Sequence, residues 1–327
     1  MRPDLPVVPV LFGPTASGKT GALFRLFGSG GLCSRKAEVV SADSMQVYRG
    51  MNIGTAKPSA PEMARLPHHL VDIRDPGEQF NAGDFVHLAV NAIDEIAGRG
   101  VLPVVCGGTG FYLRNLVLGL PETPPSDAAI RAALKAELRE KGVAALVDEL
   151  ARFDPVSAEK IHANDEYRLL RALEVLRLSG KPLSAFGVSG SNNDNYINSR
   201  YRFVAVGIFR PRDELYRRID ERCAAMFSQG LPDEVRGLYE AGYTPRDPGL
   251  RAIGYREFFV EDEPESGVYR LSRDLSGVRE LVARNCRRYA KRQATFFASL
   301  PNAKPVFAGR DDDETVERLW LELKGAG

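Results

Sequence analysis

Residues 13–20 read GPTASGKT and place two glycines, a lysine and a threonine in the spacing G-x-x-x-x-G-K-T. Such a loop binds polyphosphate because consecutive backbone N–H groups, a helix N-terminus and a lysine ammonium all face the negative charge. Lys19 would reach the outer phosphates, and the hydroxyl of Thr20 is a ligand for Mg²⁺. The pattern predicts a site for ATP, another nucleotide or a diphosphate, made of Gly13, Pro14, Thr15, Ala16, Ser17, Gly18, Lys19 and Thr20.

A strand before this loop and a helix after it are needed to position it. The apolar residues 7–12 predict the strand. Pro9 lacks an N–H donor, so full pairing is expected only near the strand's end. After the loop, Leu23, Phe24 and Phe27 recur at helical spacing. The sequence therefore predicts both of the required elements.

Two further apolar runs, residues 37–42 and 102–106, predict strands that end beside polar loops. Ligands of open α/β sheets bind at the carboxyl ends of the strands, so residues 43–46 and the glycine-rich residues 107–110 are expected near the phosphate loop. Asp43 has two interpretations: an Asx turn or helix cap, or a carboxylate that ligates metal or accepts a proton. Its position alone does not separate them.

The composition indicates an ordinary globular chain, with 327 residues that are 44% hydrophobic and 27% charged, enough for one large or two smaller domains. The 44 basic and 43 acidic residues nearly cancel, so the total charge predicts no polyanionic partner. Four widely separated cysteines without a C-x-x-C pair argue against a zinc site or a disulfide framework. Because no signal peptide or membrane span is evident, we expect a cytoplasmic protein with no membrane partner.

A helical stretch interrupts the β pattern in the middle of the chain. Residues 128–153 predict a helix that breaks near Gly142, and Asp165 caps a second predicted helix that ends at Gly180. Residues 202–209 return to a β pattern. The predicted fold class is α/β, a P-loop NTPase-like parallel sheet core with a helical insertion domain and a helical C-terminal region. Its expected parts are 1–121 (first part of the core), 122–200 (helical insertion, tRNA-binding in the light of the resemblance below) and 201–327 (core completion and basic C-terminal region).

Two arginines on the helix predicted for residues 213–229 are four residues apart and share one side. Arg218 and Arg222 could hold a leaving phosphate, or they could merely pair with Glu221 and Glu214. The sequence favours neither interpretation.

The helix predicted for residues 278–297 is the one region with a marked positive excess, and Tyr289, Phe296 and Phe297 lie among its cations. A solvated helix face is the usual meaning of such a run. Arginines interleaved with aromatic rings also suit RNA, because phosphates need cations and splayed bases need planes on which to stack. The cations are Arg279, Arg284, Arg287, Arg288, Lys291 and Arg292.

An ordered set of motifs that covers nearly the whole chain resembles the tRNA dimethylallyltransferase family. The motifs are GPTASGKT at 13–20, SADSMQVYRG at 41–50, GTAKP at 54–58, GGTG at 107–110, RLLRALEV at 168–175, AIGYRE at 252–257 and AKRQAT at 290–295. A phosphate loop alone is common to many enzymes. The ordered set is far more specific.

The resemblance implies transfer of a dimethylallyl group from dimethylallyl diphosphate to N6 of adenosine 37, next to the tRNA anticodon, with release of diphosphate. It implies that Asp43 is the general base, that Thr109 orients the substrate, and that Lys19 stabilises the leaving group together with Mg²⁺ at Thr20 and one of the two paired arginines. The expected partners are the tRNA anticodon stem-loop and dimethylallyl diphosphate, and the chain is expected to be a monomer.

The target base has to leave its stack to react, so the resemblance also implies a set of tRNA contacts. These residues are Asp43, Ser44, Met45, Gln46, Thr109, Arg131, Arg168, Arg171, Arg251, Gly254, Tyr255 and Arg256.

Other functions are compatible with the phosphate loop. A small-molecule P-loop kinase is one, although the third strand ends in Cys106, Gly107 and Gly108 rather than in an acidic metal ligand. An adenylate isopentenyltransferase would use the same prenyl donor but would not need the helical insertion or the basic tail. A non-catalytic, nucleotide-dependent RNA binder would bind without turnover.

Overall fold

The predicted parallel sheet is present in the computed structural model, which describes residues 5–120, 123–162, 165–186, 200–263 and 266–324. Its strands are β1 (Val7–Phe12), β2 (Ala37–Ser41), β3 (His68–His69), β4 (Leu102–Gly107), β5 (Arg202–Phe209) and β8 (Lys304–Phe307). Within the described residues they form one six-stranded sheet in the order β3-β2-β4-β1-β5-β8, in which every pairing is parallel. The predicted fold class is confirmed.

The central position of β1 brings the phosphate loop to the middle of the sheet. β1 pairs with β5 over its whole length, from Val7 to Phe12, but with β4 only from Val10 onward. Pro9 therefore lies where only one neighbour is paired, so its missing N–H donor is tolerated in a central strand. The expectation that β1 pairs fully only near its end is confirmed.

Helices lie between the strands along the chain. They are α1 (Lys19–Phe27), α2 (Ala60–Arg65), α3 (Ala82–Gly98), α4 (Gly110–Leu118), α5 (Ala128–Phe153), α6 (Pro155–Lys160), α7 (Glu166–Ser179), α8 (Arg212–Ser228), α9 (Leu231–Glu240), α10 (Leu275–Ala298) and α11 (Asp312–Lys324). A short antiparallel pair, β6 (Phe259–Glu261) with β7 (Tyr269–Leu271), precedes α10.

One apolar cluster joins the sheet to the helix that follows the phosphate loop. Leu11 of β1 and Val206 of β5 pack in the same buried cluster as Leu23 of α1 and Leu319 of α11. This burial holds α1 against the sheet. It therefore also holds the phosphate loop, which ends in the first turn of α1.

A second apolar cluster holds the arginine-bearing helices against the loops that follow β2. Leu215 and Ile219 of α8 share this cluster with Val282 of α10, and Val47 and Met51 from the loop region are also buried in it. Loop residues that carry functional groups are thereby fixed by the core.

The chain divides into two compact units, residues 1–117 with 200–327 and residues 118–199. The second unit has its own core, in which Leu134 and Leu146 of α5 pack with Leu169 and Leu173 of α7. As the sequence predicts, the helical run of α5 breaks at Gly142, which has φ 78° and ψ 167°. Residues 121–122, 163–164 and 187–199, at the ends of and within the predicted helical insertion, lie outside the described residues.

In the part of the chain that the structure describes, none of the helices combines the length and the apolar character needed to cross a bilayer.

Candidate active site

The phosphate loop is a closed turn that links β1 to α1. Gly18 precedes α1 with φ 98°, a left-handed conformation that favours glycine, and Ser17 N–H donates to the Pro14 carbonyl at 3.2 Å. The ammonium of Lys19 donates to the carbonyl oxygens of Gly13 and Pro14, each at 2.8 Å. The lysine therefore lies along the loop, positioned where a polyphosphate would bind.

Burial lowers the pKa of Lys19 to about 8, and the nearby charge of Arg222 adds to the decrease, while Cys106 and Asp43 oppose it. An ammonium with this pKa is mostly charged at neutral pH and loses its proton in the free chain as the pH rises through about 8. A diphosphate would favour the charged form, so binding and protonation are coupled.

The two arginines left ambiguous by the sequence both lie at the phosphate loop. Arg218 donates from Nε to the Ala16 carbonyl at 3.0 Å, and the charge of Arg222 is close enough to lower the pKa of Lys19. The proposed alternative partners are taken by other arginines: Glu214 pairs with Arg210 at 2.5 Å and Glu221 pairs with Arg217 at 2.6 Å. The pairing interpretation of Arg218 and Arg222 is therefore wrong.

Arg210 is a loop contact that the sequence analysis missed. Its guanidinium is almost fully buried, donates from Nε to the Ser17 carbonyl at 2.8 Å, and also pairs with Asp312 at 2.7 Å. Because it follows β5 directly, its position at the carboxyl end of a central strand was the available signal.

Asp43 forms the local turn that one interpretation predicts, and its position in a cavity is compatible with the other. Its Oδ1 accepts from the backbone N–H groups of Met45 at 2.9 Å and Gln46 at 3.4 Å, which is the geometry of a local turn. The half-buried carboxylate also lines a cavity of about 60 Å³ together with Lys19 and Thr20. The turn fixes one carboxylate oxygen, so Oδ2 is the oxygen that could accept a proton.

Thr109 is joined to the loop of Asp43 by direct hydrogen bonds. Its Oγ1 accepts from Ser44 N–H at 2.9 Å and donates to Ser44 Oγ at 3.2 Å, and its own N–H donates to the Ala42 carbonyl at 3.1 Å. The ends of β2 and β4 are thereby held together beside the phosphate loop.

Cys106 lies in the same cavity as Lys19 and Asp43. Burial raises the pKa of its thiol to about 11. The thiol therefore stays neutral at physiological pH and is a weak nucleophile.

Helix α10 completes the site through a residue to which the sequence analysis gave no role. Gln293 is 6% exposed; its Oε1 accepts from Thr15 N–H at 2.9 Å and its Nε2 donates to the Gly108 carbonyl at 2.7 Å. Tyr289 lies one turn earlier, and burial, followed by the charge of Asp43, raises the pKa of its hydroxyl to about 12.

Two aromatic residues of α10 pack inside the protein, which does not favour the interpretation in which they provide stacking planes for RNA. Phe297 is buried against Phe12, with ring centroids 4.9 Å apart, and Phe296 packs against Gly110. The outer face of α10 carries exposed Arg288, Lys291 and Arg292. One side of α10 therefore packs against the loops that contain Thr15 and Gly108, and the other side is cationic.

The residues expected to read the target base are anchored within the protein. Both ends of the Gln46 amide are bonded, with Oε1 accepting from Ser41 Oγ at 3.1 Å and Nε2 donating to the Thr55 and Ala56 carbonyls at 3.3 Å. Met45 packs against the second apolar cluster. Gln46 would have to exchange a partner to bind a base.

The prediction that Tyr255 contacts tRNA needs a correction. Its side chain is fully buried and cannot contact RNA from that position. Its hydroxyl donates to Glu234 at 2.6 Å, and the same carboxylate accepts from the backbone N–H groups of Ile53 and Gly54. Tyr255 and Glu234 thus hold the loop that Gly54 forms, rather than forming a surface.

The neighbouring residues of the same motif differ from Tyr255. Arg251 and Arg256 are exposed, whereas Gly254 is buried and donates its N–H to Glu257 at 2.9 Å. Arg251 also donates to the Pro245 and Arg246 carbonyls at 3.2 and 2.8 Å. Only the two arginines present side chains to solvent.

The remaining predicted tRNA residues belong to the second unit. Arg168 is 70% exposed and pairs with Asp165 at 3.3 Å, and Arg131 lies over the ring of exposed Tyr167 at 4.8 Å. Arg171 is engaged internally: it pairs with the fully buried Glu174 at 2.8 Å and also donates to a backbone carbonyl. Arg171 is thus a structural residue of this unit, which does not favour a direct RNA contact.

The donor set fits a magnesium ion that is held mainly by substrate oxygens. The hydroxyl of Thr20 is exposed in the first turn of α1 and lines the same cavity as the Asp43 carboxylate. Among the described residues, no group of three or more His, Cys, Asp or Glu side chains could form a protein-only metal site. Mg²⁺ commonly binds through one or two protein ligands, phosphates and water.

The fold and the site define a P-loop protein of the α/β class in which the Asp43 carboxylate lies beside the phosphate loop. The IPP transferase family model matches residues 46–300. A tRNA dimethylallyltransferase from Geobacter sulfurreducens is 46% identical over 297 residues, which cover 91% of this chain and 90% of the relative. The chain belongs to the IPP transferase family, and the resemblance found in the sequence is confirmed.

Solved structures give the same result. A full-length tRNA isopentenylpyrophosphate transferase from Bacillus halodurans is 36% identical, with a TM-score of 0.65 and coverage of 99% of this chain and 97% of that one. A eukaryotic dimethylallyltransferase acting on tRNA is 27% identical, with a TM-score of 0.75 and coverage of 93% and 74%.

Proposed function

We propose that this chain transfers a dimethylallyl group from dimethylallyl diphosphate to N6 of adenosine 37 in tRNA and releases diphosphate. The observation that carries the proposal is the shared cavity of Lys19 and Asp43, which combines a cup for a leaving diphosphate with a base for the attacking amine. Family membership supports tRNA prenylation.

Departure of the diphosphate is the step that the phosphate loop would assist. As N6 bonds to the allylic carbon, the carbon–oxygen bond breaks and its electron pair stays on the bridging oxygen. Lys19, Arg218 and Arg222 carry positive charge at the loop, so they would stabilise the charge that grows on that oxygen. Magnesium bound at Thr20 would neutralise further phosphate charge.

Deprotonation of the amine would fall to Asp43. An exocyclic amine becomes a better nucleophile as its proton leaves, and Oδ2 is the carboxylate oxygen not fixed by the local turn. Thr109 and Ser44 are hydrogen-bonded to each other beside Asp43, so they would orient the extruded base.

Recognition of the anticodon stem-loop would use exposed cations in both units. Arg168 in the second unit, and Arg251, Arg256 and Arg288 in the first, are exposed and can reach phosphates without breaking the core. Arg131, also in the second unit, is half-buried over the ring of Tyr167 and would contribute from its remaining exposed surface. A monomer that works in the cytoplasm is sufficient for this reaction.

The comparisons do not favour a small-molecule kinase or an adenylate isopentenyltransferase. The relatives named for tRNA modification match about nine-tenths or more of this chain, including the helical unit and the basic α10. Either alternative would leave those two parts without a role.

Incubation of the chain with dimethylallyl diphosphate, Mg²⁺ and unmodified tRNA, followed by mass analysis of the nucleosides, tests the proposal. We expect an adenosine heavier by one dimethylallyl group, mapped to position 37. Binding of tRNA without any modified nucleoside would support a non-catalytic binder instead. Modification of free adenine nucleotide but not of tRNA would support the adenylate alternative.

A further inference from the structure

We propose that Gln293 is a positioning residue that clamps the phosphate loop to the loop carrying Thr109. The inference rests on the proposed function, for which both loops must act on one substrate pair. Thr15 contributes its backbone N–H and Gly108 its backbone carbonyl, and the single amide of Gln293 bonds to both.

The chemistry of the two bonds fixes the orientation of the amide. Thr15 offers an N–H donor and Gly108 offers a carbonyl acceptor, so oxygen has to face the first and nitrogen the second. With 6% exposure, the amide has little access to water, and breaking either bond would leave a polar group buried without a partner. The relative placement of the loops in this structure satisfies both ends.

The backbone around Gly108 leaves room for this amide and for no additional atom. A Cβ at Gly108 would lie 2.8 Å from Gln293 Nε2, closer than carbon and nitrogen approach without a shift. Two residues later, a Cβ at Gly110 would lie 2.4 Å from the ring of Phe296. The glycines of the GGTG motif therefore admit α10 against the end of β4.

The clamp also changes which amides of the phosphate loop can bind the ligand. The N–H of Thr15 is used by Gln293, and that of Ser17 is used by the Pro14 carbonyl. Binding of diphosphate would then rely on the loop's remaining amides, the first turn of α1 and the cations.

Two substitutions break the clamp from opposite sides. Gln293→Met keeps the length of the side chain and removes both bonds. Gly108→Ala retains glutamine at position 293 but adds a Cβ that displaces its amide. Gln229→Met is the matched control, since Gln229 is exposed at the end of α8. Each variant is assayed well below its melting temperature, by single-turnover transfer with saturating tRNA and by the tRNA dissociation constant.

Gln293→Met is expected to slow transfer roughly 10²-fold, the scale of a 1 Å misplacement of reacting groups, with the tRNA dissociation constant within about twofold of the unaltered chain. The combined variant should be no slower than the slower single variant by more than about threefold, because both changes break one contact. Rates equal to those of Gln229→Met would overturn the proposal, as would tRNA affinity that falls in step with the rate.

Hydrogen exchange provides a readout that does not depend on turnover. In the free chain, the Thr15 amide of Gln293→Met is expected to exchange at least about tenfold faster than in the unaltered chain and the control. Unchanged exchange would refute the clamp. If the unaltered chain transfers no prenyl group while the exchange changes as expected, the proposed function fails and the clamp stands.

Discussion

The phosphate loop and the helical unit both carry cations expected to meet phosphate, yet they hold them differently. Lys19 lies half-buried along two loop carbonyls, whereas Arg168 on α7 is 70% exposed and pairs only with Asp165, three residues away. A group that stabilises charge at one atom has to be pre-positioned. A group that contacts an RNA backbone gains from the release of counterions and needs only to be accessible.

The comparison implies that substitutions near the loop change the rate, while those on exposed faces change the affinity for tRNA. The largest effect is expected at Asp43. Asp43→Asn should slow transfer about 10²- to 10⁴-fold, because the attacking amine loses its base, while diphosphate affinity stays nearly constant. Single-turnover kinetics and calorimetric binding of diphosphate measure the two quantities.

Asp213→Asn is the control for this change, since Asp213 is exposed on α8. Should diphosphate affinity fall in step with the rate in Asp43→Asn, the carboxylate would be a metal or structural group and not the base.

Lys19→Ala is expected to have the next largest effect. Loss of its charge should cost about 2 to 4 kcal/mol of transition-state stabilisation, or roughly 30- to 1,000-fold in kcat/KM, and should weaken diphosphate binding as well. Lys135→Ala, on the exposed face of α5, is the matched control. Full activity of Lys19→Ala would remove the lysine from the mechanism.

The pKa of Lys19 predicts how diphosphate binding depends on pH. Below about 8 the ammonium is charged; above it, the free chain loses the proton, so affinity should fall by up to about tenfold per pH unit. Lys19→Ala should bind more weakly and without this dependence. An affinity that stays constant in the unaltered chain as the pH rises through 8 to 9.5, about 1.5 pH units, would show that the lysine's charge does not hold the ligand.

The smallest effect is expected on the outer face of α10. Arg288→Gln should weaken tRNA binding a few-fold and reduce the slope of log affinity against log salt by about 0.7 to 0.9, the value for one lost phosphate contact. Arg287 pairs with Asp220, so Arg287→Gln should change the slope less. Arg217→Gln is the control, because the side chain of Arg217 on α8 is exposed. Equal slopes for the unaltered chain and all three variants would mean that the outer face of α10 contacts only solvent.

The local pattern of the chain was sufficient to predict the strands β1, β2, β4 and β5 and the helices α1, α5, α7, α8 and α10. The strands at residues 7–12 and 202–209 have the predicted bounds, and the break at Gly142 follows from the backbone freedom of glycine. β8 and α11 were not predicted. β8 is only four residues long and contains a proline, so its pairing depends on the tertiary edge of β5.

The site was predictable where one motif contains all of the geometry, as at residues 13–20. It was not predictable where the contact joins distant parts of the chain. Gln293 and Thr15 are 278 positions apart, and the burial of Tyr255 depends on Glu234 in another helix. Motif matching assigns such residues to a site but cannot separate side chains that meet the ligand from those that hold the loops.

The central claim is that one cavity holds the departing diphosphate and the attacking amine. Its most direct test is a crystal structure of the chain with tRNA and a non-reactive analogue of dimethylallyl diphosphate, in which sulfur replaces the oxygen between the allylic carbon and the diphosphate. We predict that the analogue's diphosphate lies in residues 13–20 and that adenine N6 lies about 2.6 to 3.2 Å from Asp43 Oδ2. An adenine bound elsewhere, with Asp43 facing only its own turn, would contradict the account.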